Sequence, residues 1–199
     1  MAVNRVPVLK RCRSLGLDPI YLGIDKKSTR GAANGRRPAK KSEYALQLRE
    51  KQKAKFIYGV LEKPFRNYYE MAKRQKGLTG DNLMIILESR LDNVVFRAGF
   101  ARTRAEARQI VDHKQLTVNG KCINIPSYRI KAGDVIEIKE KCKASARYEQ
   151  IKEVTLGRTV VGWLDSDIEN LKVTVVELPK RSDIDVPVDD MLIVELYSK

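Results

Sequence analysis

The apolar period of this 199-residue chain changes after residue 113, and that change bounds the fold. Over residues 42–113 apolar side chains recur at helical spacing; from Leu116 onward they come in short alternating runs. A period near 3.6 reads as helices and a period of 2 as half-buried strands. Helices therefore come first and short strands afterwards. Leu, Ile, Val and Phe supply 55 residues, enough apolar surface for a packed core.

The helical part is punctuated. Ser42 is a candidate N-cap with Glu43 in the first turn, and Tyr44, Leu48, Phe56, Val60 and Leu61 mark a helix over 43–62. Pro64 interrupts it. The pattern resumes over 65–75 with Tyr68, Tyr69 and Met71, and Gly77 stops it. A further helix runs from Asp81 to a stop at Gly99, with Leu83, Leu87, Leu91, Val94 and Val95 inward. Thr103-Arg104-Ala105-Glu106 fits a capping box that opens a short helix to about His113, with Ala107, Ile110 and Val111 inward.

The strand part begins with a hairpin. Residues 116–118 and 121–125 flank Asn119-Gly120, a pair that tolerates positive φ at both turn positions. Further strands are predicted at 135–138, 159–163 and 172–178. At 189–197 two leading acids favour a helix over a strand.

Charge points to the partner. The chain carries 39 Lys+Arg against 25 Asp+Glu, a net of +14. Residues 1–88 hold 20 basic and 8 acidic side chains, residues 89–147 hold 13 and 6, and residues 148–199 hold 6 and 11. Such an excess on a compact body calls for a polyanion, with nucleic acid first, against the first two thirds of the chain. The acidic end faces solvent, the chain's own basic parts or a basic protein neighbour. No run of 18 apolar residues and no signal-peptide h-region are present, so no membrane partner is expected. Cys12, Cys122 and Cys142 are odd in number and far apart, which fits reduced thiols better than a zinc knuckle or a disulfide framework. Residues 1–41, with 11 basic and 2 acidic side chains, read as a basic arm that is either a disordered tail or orders on RNA. The second reading is favoured because Val6, Val8, Leu9, Leu15 and Leu17 give it apolar surface to dock.

Three runs carry a family resemblance. They are Ser89-Arg90-Leu91-Asp92-Asn93-Val94-Val95-Phe96-Arg97-Ala98-Gly99-Phe100, Thr103-Arg104-Ala105-Glu106-Ala107-Arg108-Gln109 and Val118-Asn119-Gly120. Together they resemble the S-four RNA-binding module. Upstream Tyr58-Gly59-Val60-Leu61-Glu62 and Phe65-Arg66-Asn67-Tyr68-Tyr69, and the terminal Ile193-Val194-Glu195-Leu196-Tyr197-Ser198-Lys199, narrow it. The whole chain is similar to the bacterial-type S-four family of small-subunit ribosomal proteins. Some members of that family hold zinc on four N-terminal cysteines; only Cys12 stands here, so no metal or other cofactor is expected.

The resemblance implies a cytoplasmic component of the small ribosomal subunit that is not an enzyme. It implies direct, early binding to 16S rRNA at a multi-helix junction, nucleation of the subunit body, and an influence on translational accuracy. Implied neighbours are ribosomal protein S-five and the side where mRNA enters. It implies an α+β fold: a helical domain over 42–88, on which 188–199 is a candidate to pack, and an α+β domain over 89–187 with a mainly antiparallel sheet, containing the module at 89–150.

The candidate rRNA contacts follow from charge and spacing. The arm offers Lys10, Arg11, Arg13, Arg36, Arg37 and Lys41; the helical domain offers Arg49, Lys53 and Arg66. The module offers Arg90, Arg97, Arg102, Arg104 and Arg108, with Lys114 and Lys121 beside the hairpin. Arginine forks match phosphate oxygens, and a rigid patch of them reads RNA shape rather than sequence. Arg104 and Arg108 are four apart and share one helical face. Arg90 and Arg97 either reach phosphates or pair with Asp92 or another internal acid. Tyr68 and Tyr69 are core by spacing, with at most one stacking on a base. Arg90-Leu91-Asp92 also resembles the short motif holding the catalytic Asp of pseudouridine synthases. The chain after the module is too short for such a catalytic domain, and Asp92 reads instead as a surface residue or an arginine partner. A free-standing regulator that binds mRNA would use the same surface.

Overall fold

The computed structural model describes residues 6–26 and 42–198. Arg36, Arg37 and Lys41 lie outside the described residues. The chain divides into two compact units, Met1–Leu83 with Val186–Lys199, and Met84–Asp185.

In the first unit, α1 (Val8–Leu15) ends at Gly16 in the left-handed region, φ 67°, where a side chain would be strained and would meet Arg49. A 3-10 turn follows at Pro19–Leu22, its first turn held by the Asp18 carboxylate. Cys12, Leu15, Leu17 and Leu22 are buried and α1 packs on α2 (Glu43–Ile57), so this part of the basic arm is core. Ser42 caps α2 through the Ala45 N–H. The helix stops at Ile57, earlier than its apolar spacing suggests, because Gly59 takes φ 62° and turns the chain. Pro64 does not interrupt a helix. It sits in the first turn of α3 (Glu62–Lys73), where a missing N–H leaves no bond unmade. One face of α3 buries Phe65, Tyr68, Tyr69 and Ala72. The terminal segment is a helix, α9 (Asp190–Ser198), opened by the Asp189 carboxylate and packed along α2.

The next helix, α4 (Thr79–Glu88), spans the point in sequence where the first unit ends and the second begins. The helix expected to continue to Gly99 is two helices. Ser89 and Arg90 leave helical geometry, Arg90 bridges to Arg129, and α5 (Leu91–Arg97) begins anew. Thr103 caps α6 (Arg104–Asp112) through the Glu106 N–H. The Glu106 carboxylate reaches back to the Arg102 N–H, one residue before the cap.

Five strands form one sheet, β1 (Leu116–Val118), β2 (Lys121–Cys122), β3 (Val135–Ile138), β4 (Leu164–Asp167) and β5 (Lys172–Val175), in the order β2-β1-β3-β5-β4. Every pairing of these strands is antiparallel. The fold is α+β. Asn119 and Gly120 make the hairpin turn with φ 49° and 77°. The Asn119 side chain also ties the turn to Asp134 and to the Val135 N–H, both at 2.9 Å. Residues 159–163 are not a strand: Val161 and Leu164 close a turn that seats Trp163 in the core. The strand that follows, Leu-Asp-Ser-Asp, lies at the sheet edge with its two acids exposed. The short α7 (Glu140–Lys143) leads into α8 (Ala146–Thr155), which buries Tyr148, Ile151 and Thr155. The core of this unit joins α5, α6, the sheet and α8 around Phe100, Ile110, Ile136 and Trp163. Among the described residues no helix is long and apolar enough to cross a membrane.

Candidate nucleic-acid interface

The first unit presents its cations outward. Burying the aromatic face of α3 leaves Lys63, Arg66, Lys73 and Arg74 exposed along the other, at helical spacing. Lys10 and Arg13 are exposed on α1. Three candidates here also do internal work. Arg11 donates to the Gln52 side chain at 3.1 Å, Arg49 caps α1 by donating to the Leu15 carbonyl at 2.9 Å, and Lys53 pairs with Glu50 at 2.6 Å. Glu62 gathers Lys51 and Lys55 at 2.9 and 2.6 Å and accepts the Tyr197 hydroxyl at 3.1 Å. Burial alone would raise its pKa, but those two ammoniums pull it down to about 2. Tyr197 stacks on Tyr69 at 4.5 Å, and Tyr68 is buried, so both tyrosines of α3 serve packing.

The second unit turns several of its arginines inward. Glu88, 1% exposed, accepts from Arg97 at 2.9 and 3.2 Å and from the Asn93 amide. Arg97 also meets Asp185 at 2.6 Å. Burial would lower its pKa, yet the two carboxylates hold it above the ordinary guanidinium value. Arg104 donates to Asn93 Oδ1 at 2.9 Å and lies over the Phe96 ring, 4.3 Å from its centroid. Arg90 donates to Asp92 at 3.0 Å.

Arg90 is 3% exposed and Arg104 9%, so both leave the set of phosphate-facing candidates. The physical reason is shared. Arg104 and Arg108 do lie on one face of α6, but that face turns to α5, where Arg104 meets Asn93 and Arg108 approaches Asp92 at 4.0 Å, while Arg108 also approaches Asp112 of its own helix at 3.8 Å. A guanidinium held by an acid or an amide, or laid over an aromatic ring, ties the packed elements together. Asp92, 5% exposed and paired to Arg90, is the arginine partner.

Candidates that reach solvent in this unit are Arg102, Lys114 and Lys121. Arg102 is gripped by Glu106 at 3.0 and 3.1 Å with 46% of its side chain exposed. Burial would raise the Glu106 pKa, but hydrogen bonds from Arg102 and the charge of Arg147 hold it down. Lys114 follows the α6 C-terminus with φ 58°, and Lys121 begins β2. Arg129, Lys131 and Lys141 are exposed as well, and sequence reasoning passed over them because they sit in short segments without apolar period.

A helical unit with outward cations and a helix pair on an antiparallel sheet define the class, an α+β protein built to meet a polyanion. Two family models match in succession: the ribosomal protein S4/S9 N-terminal domain over residues 4–88 and the S4 domain over residues 89–136. The chain is 72% identical to the small ribosomal subunit protein uS4 of Lachnospira eligens, over the full length of both. It is 50% identical, again over both full lengths, to the proteins of the same name from Desulforamulus reducens and Corynebacterium jeikeium. This chain belongs to the uS4 family of small ribosomal subunit proteins.

Proposed function

We propose that this chain is a structural, non-catalytic component of the small ribosomal subunit that binds 16S rRNA directly at a multi-helix junction. The exposed row Lys63, Arg66, Lys73 and Arg74 on α3 carries the reading, because a rigid helix fixes the spacing at which it meets phosphates. Lys10, Arg13, Arg102, Lys114 and Lys121 add contacts from α1, the α5–α6 turn and the hairpin region. Early binding at such a junction nucleates the subunit body. The acidic run at 148–199 suits a basic protein neighbour, S-five in the family resemblance, and a place near entering mRNA would couple the chain to translational accuracy. The domains we assign are the helical one with α9 packed on it and the α+β one holding the RNA-binding module.

The test is equilibrium binding of the chain to a transcript of the 16S junction across a salt series. With about 5 to 8 phosphates neutralised, the log–log slope should be roughly −4 to −7. A slope near zero, or equal affinity for a plain duplex, would overturn the reading.

A further inference from the structure

The turn between α5 and α6 is held by side chains that lie beyond the matched S4 domain. Arg158 follows α8. Its Nη1 donates to the carbonyls of Phe96 at 3.4 Å and Ala101 at 3.2 Å, and its Nη2 to that of Arg102 at 3.0 Å. Its guanidinium lies over the Phe96 ring, 4.6 Å from the centroid. Ser166 on β4 donates to the Ala98 carbonyl at 2.8 Å. The Phe96 carbonyl at the end of α5 also accepts the Gly99 N–H at 3.1 Å, and a cation there is favoured by the helix dipole. Arg158 is half-buried and directs its fork at three carbonyls, so it holds backbone rather than reaching outward. One of those carbonyls belongs to Arg102, the exposed arginine of the turn.

We infer that Arg158 is a positioning residue for RNA binding: it fixes the turn from which Arg102 meets a phosphate. This rests on the RNA-binding reading above. A fixed guanidinium binds without first being ordered, whereas a loose turn must lose its freedom on binding. Lysine cannot substitute, since an ammonium is a point charge that neither spans the carbonyls nor stacks as a planar fork.

A double-mutant cycle on the full chain tests it, with wild type, Arg102→Ala, Arg158→Lys and the pair titrated against the junction transcript. Thermal melts supply the folded fraction of each. Each single change should weaken binding by roughly fivefold, and the pair no more than Arg102→Ala alone. Both should flatten the salt slope by about one unit. If Arg158→Lys does not fold, Ser166→Ala, which removes the Ala98 support, enters the same cycle. Effects that multiply in the pair, wild-type affinity in Arg158→Lys after correction for folded fraction, or a neutral Arg102→Ala would each overturn the inference while RNA binding stands. Failure of the wild-type chain to bind the transcript would take the RNA reading down with it.

Discussion

The two units use the same basic side chains for opposite ends. On α3 the cations stand on the face away from the aromatic core, where water screens them and a phosphate can replace the water. Around α5 and α6, Arg90, Arg97 and Arg104 are folded into a network with Asp92, Glu88, Asn93 and Asp185. Net charge counts both sets alike. What separates them is whether an acid or amide waits on the neighbouring element, which is a property of packing.

That contrast can be broken by mutation, beginning where the effect is largest. Glu88→Ala removes the buried acceptor shared by Arg97 and Asn93 and should cost about 3–5 kcal/mol in urea unfolding, because a largely buried guanidinium loses the more buried of its two carboxylate partners and the Asn93 amide loses its acceptor. A loss no larger than that of a surface change would mean the network is not structural. Next comes Arg104→Ala. It breaks the Asn93 bond and the Phe96 stack and should cost about 1–3 kcal/mol, while the folded fraction keeps its salt slope. A flattened slope at unchanged stability would put Arg104 back among the phosphate contacts.

The first unit offers a pH test. The Glu62 carboxylate is held down at about 2 against an ordinary 4.5, so it favours the folded state above pH 4.5 and loses that effect as pH falls through about 2. The Tm difference between wild type and Glu62→Gln should therefore be widest above pH 4.5 and close on acidification. A difference independent of pH would show that the Lys51 and Lys55 pairs contribute nothing. The smallest effect on folding belongs to Arg66→Ala, within about 0.5 kcal/mol, since the side chain is exposed. Its binding should weaken for every RNA carrying the junction, with a slope flatter by about one unit. Unchanged binding would remove α3 from the interface.

The arm draws the same contrast inside one segment. Charge marks residues 1–41 as an RNA-ordered extension, yet Cys12, Leu15, Leu17 and Leu22 are buried in the first unit. The signal was present in their apolar character, but an eight-residue helix is too short for its period to stand out beside so many cations. Pro64 misled for a local reason, since only the position of the helix start tells a breaker from a first-turn proline. The edge strand β4 showed no alternation because its polar residues face solvent and its place comes from pairing with β5. By contrast, Ser42, Thr103 and Asn119-Gly120 were legible at once, because caps and hairpin turns are chemistry between residues a few positions apart.

Local spacing and charge thus determined the helix starts at Ser42 and Thr103, the hairpin and the kind of partner, all of which depend on interactions within a turn or on summed charge. Spacing also determined that Arg104 and Arg108 share a face. Only the tertiary structure decided that this face meets Asn93 and Asp92, that Glu88 neutralises Arg97, and that Arg158 closes the α5–α6 turn from 62 residues beyond Phe96. Those contacts join residues far apart in the chain, and the exposure of a charge depends on what else folds against it.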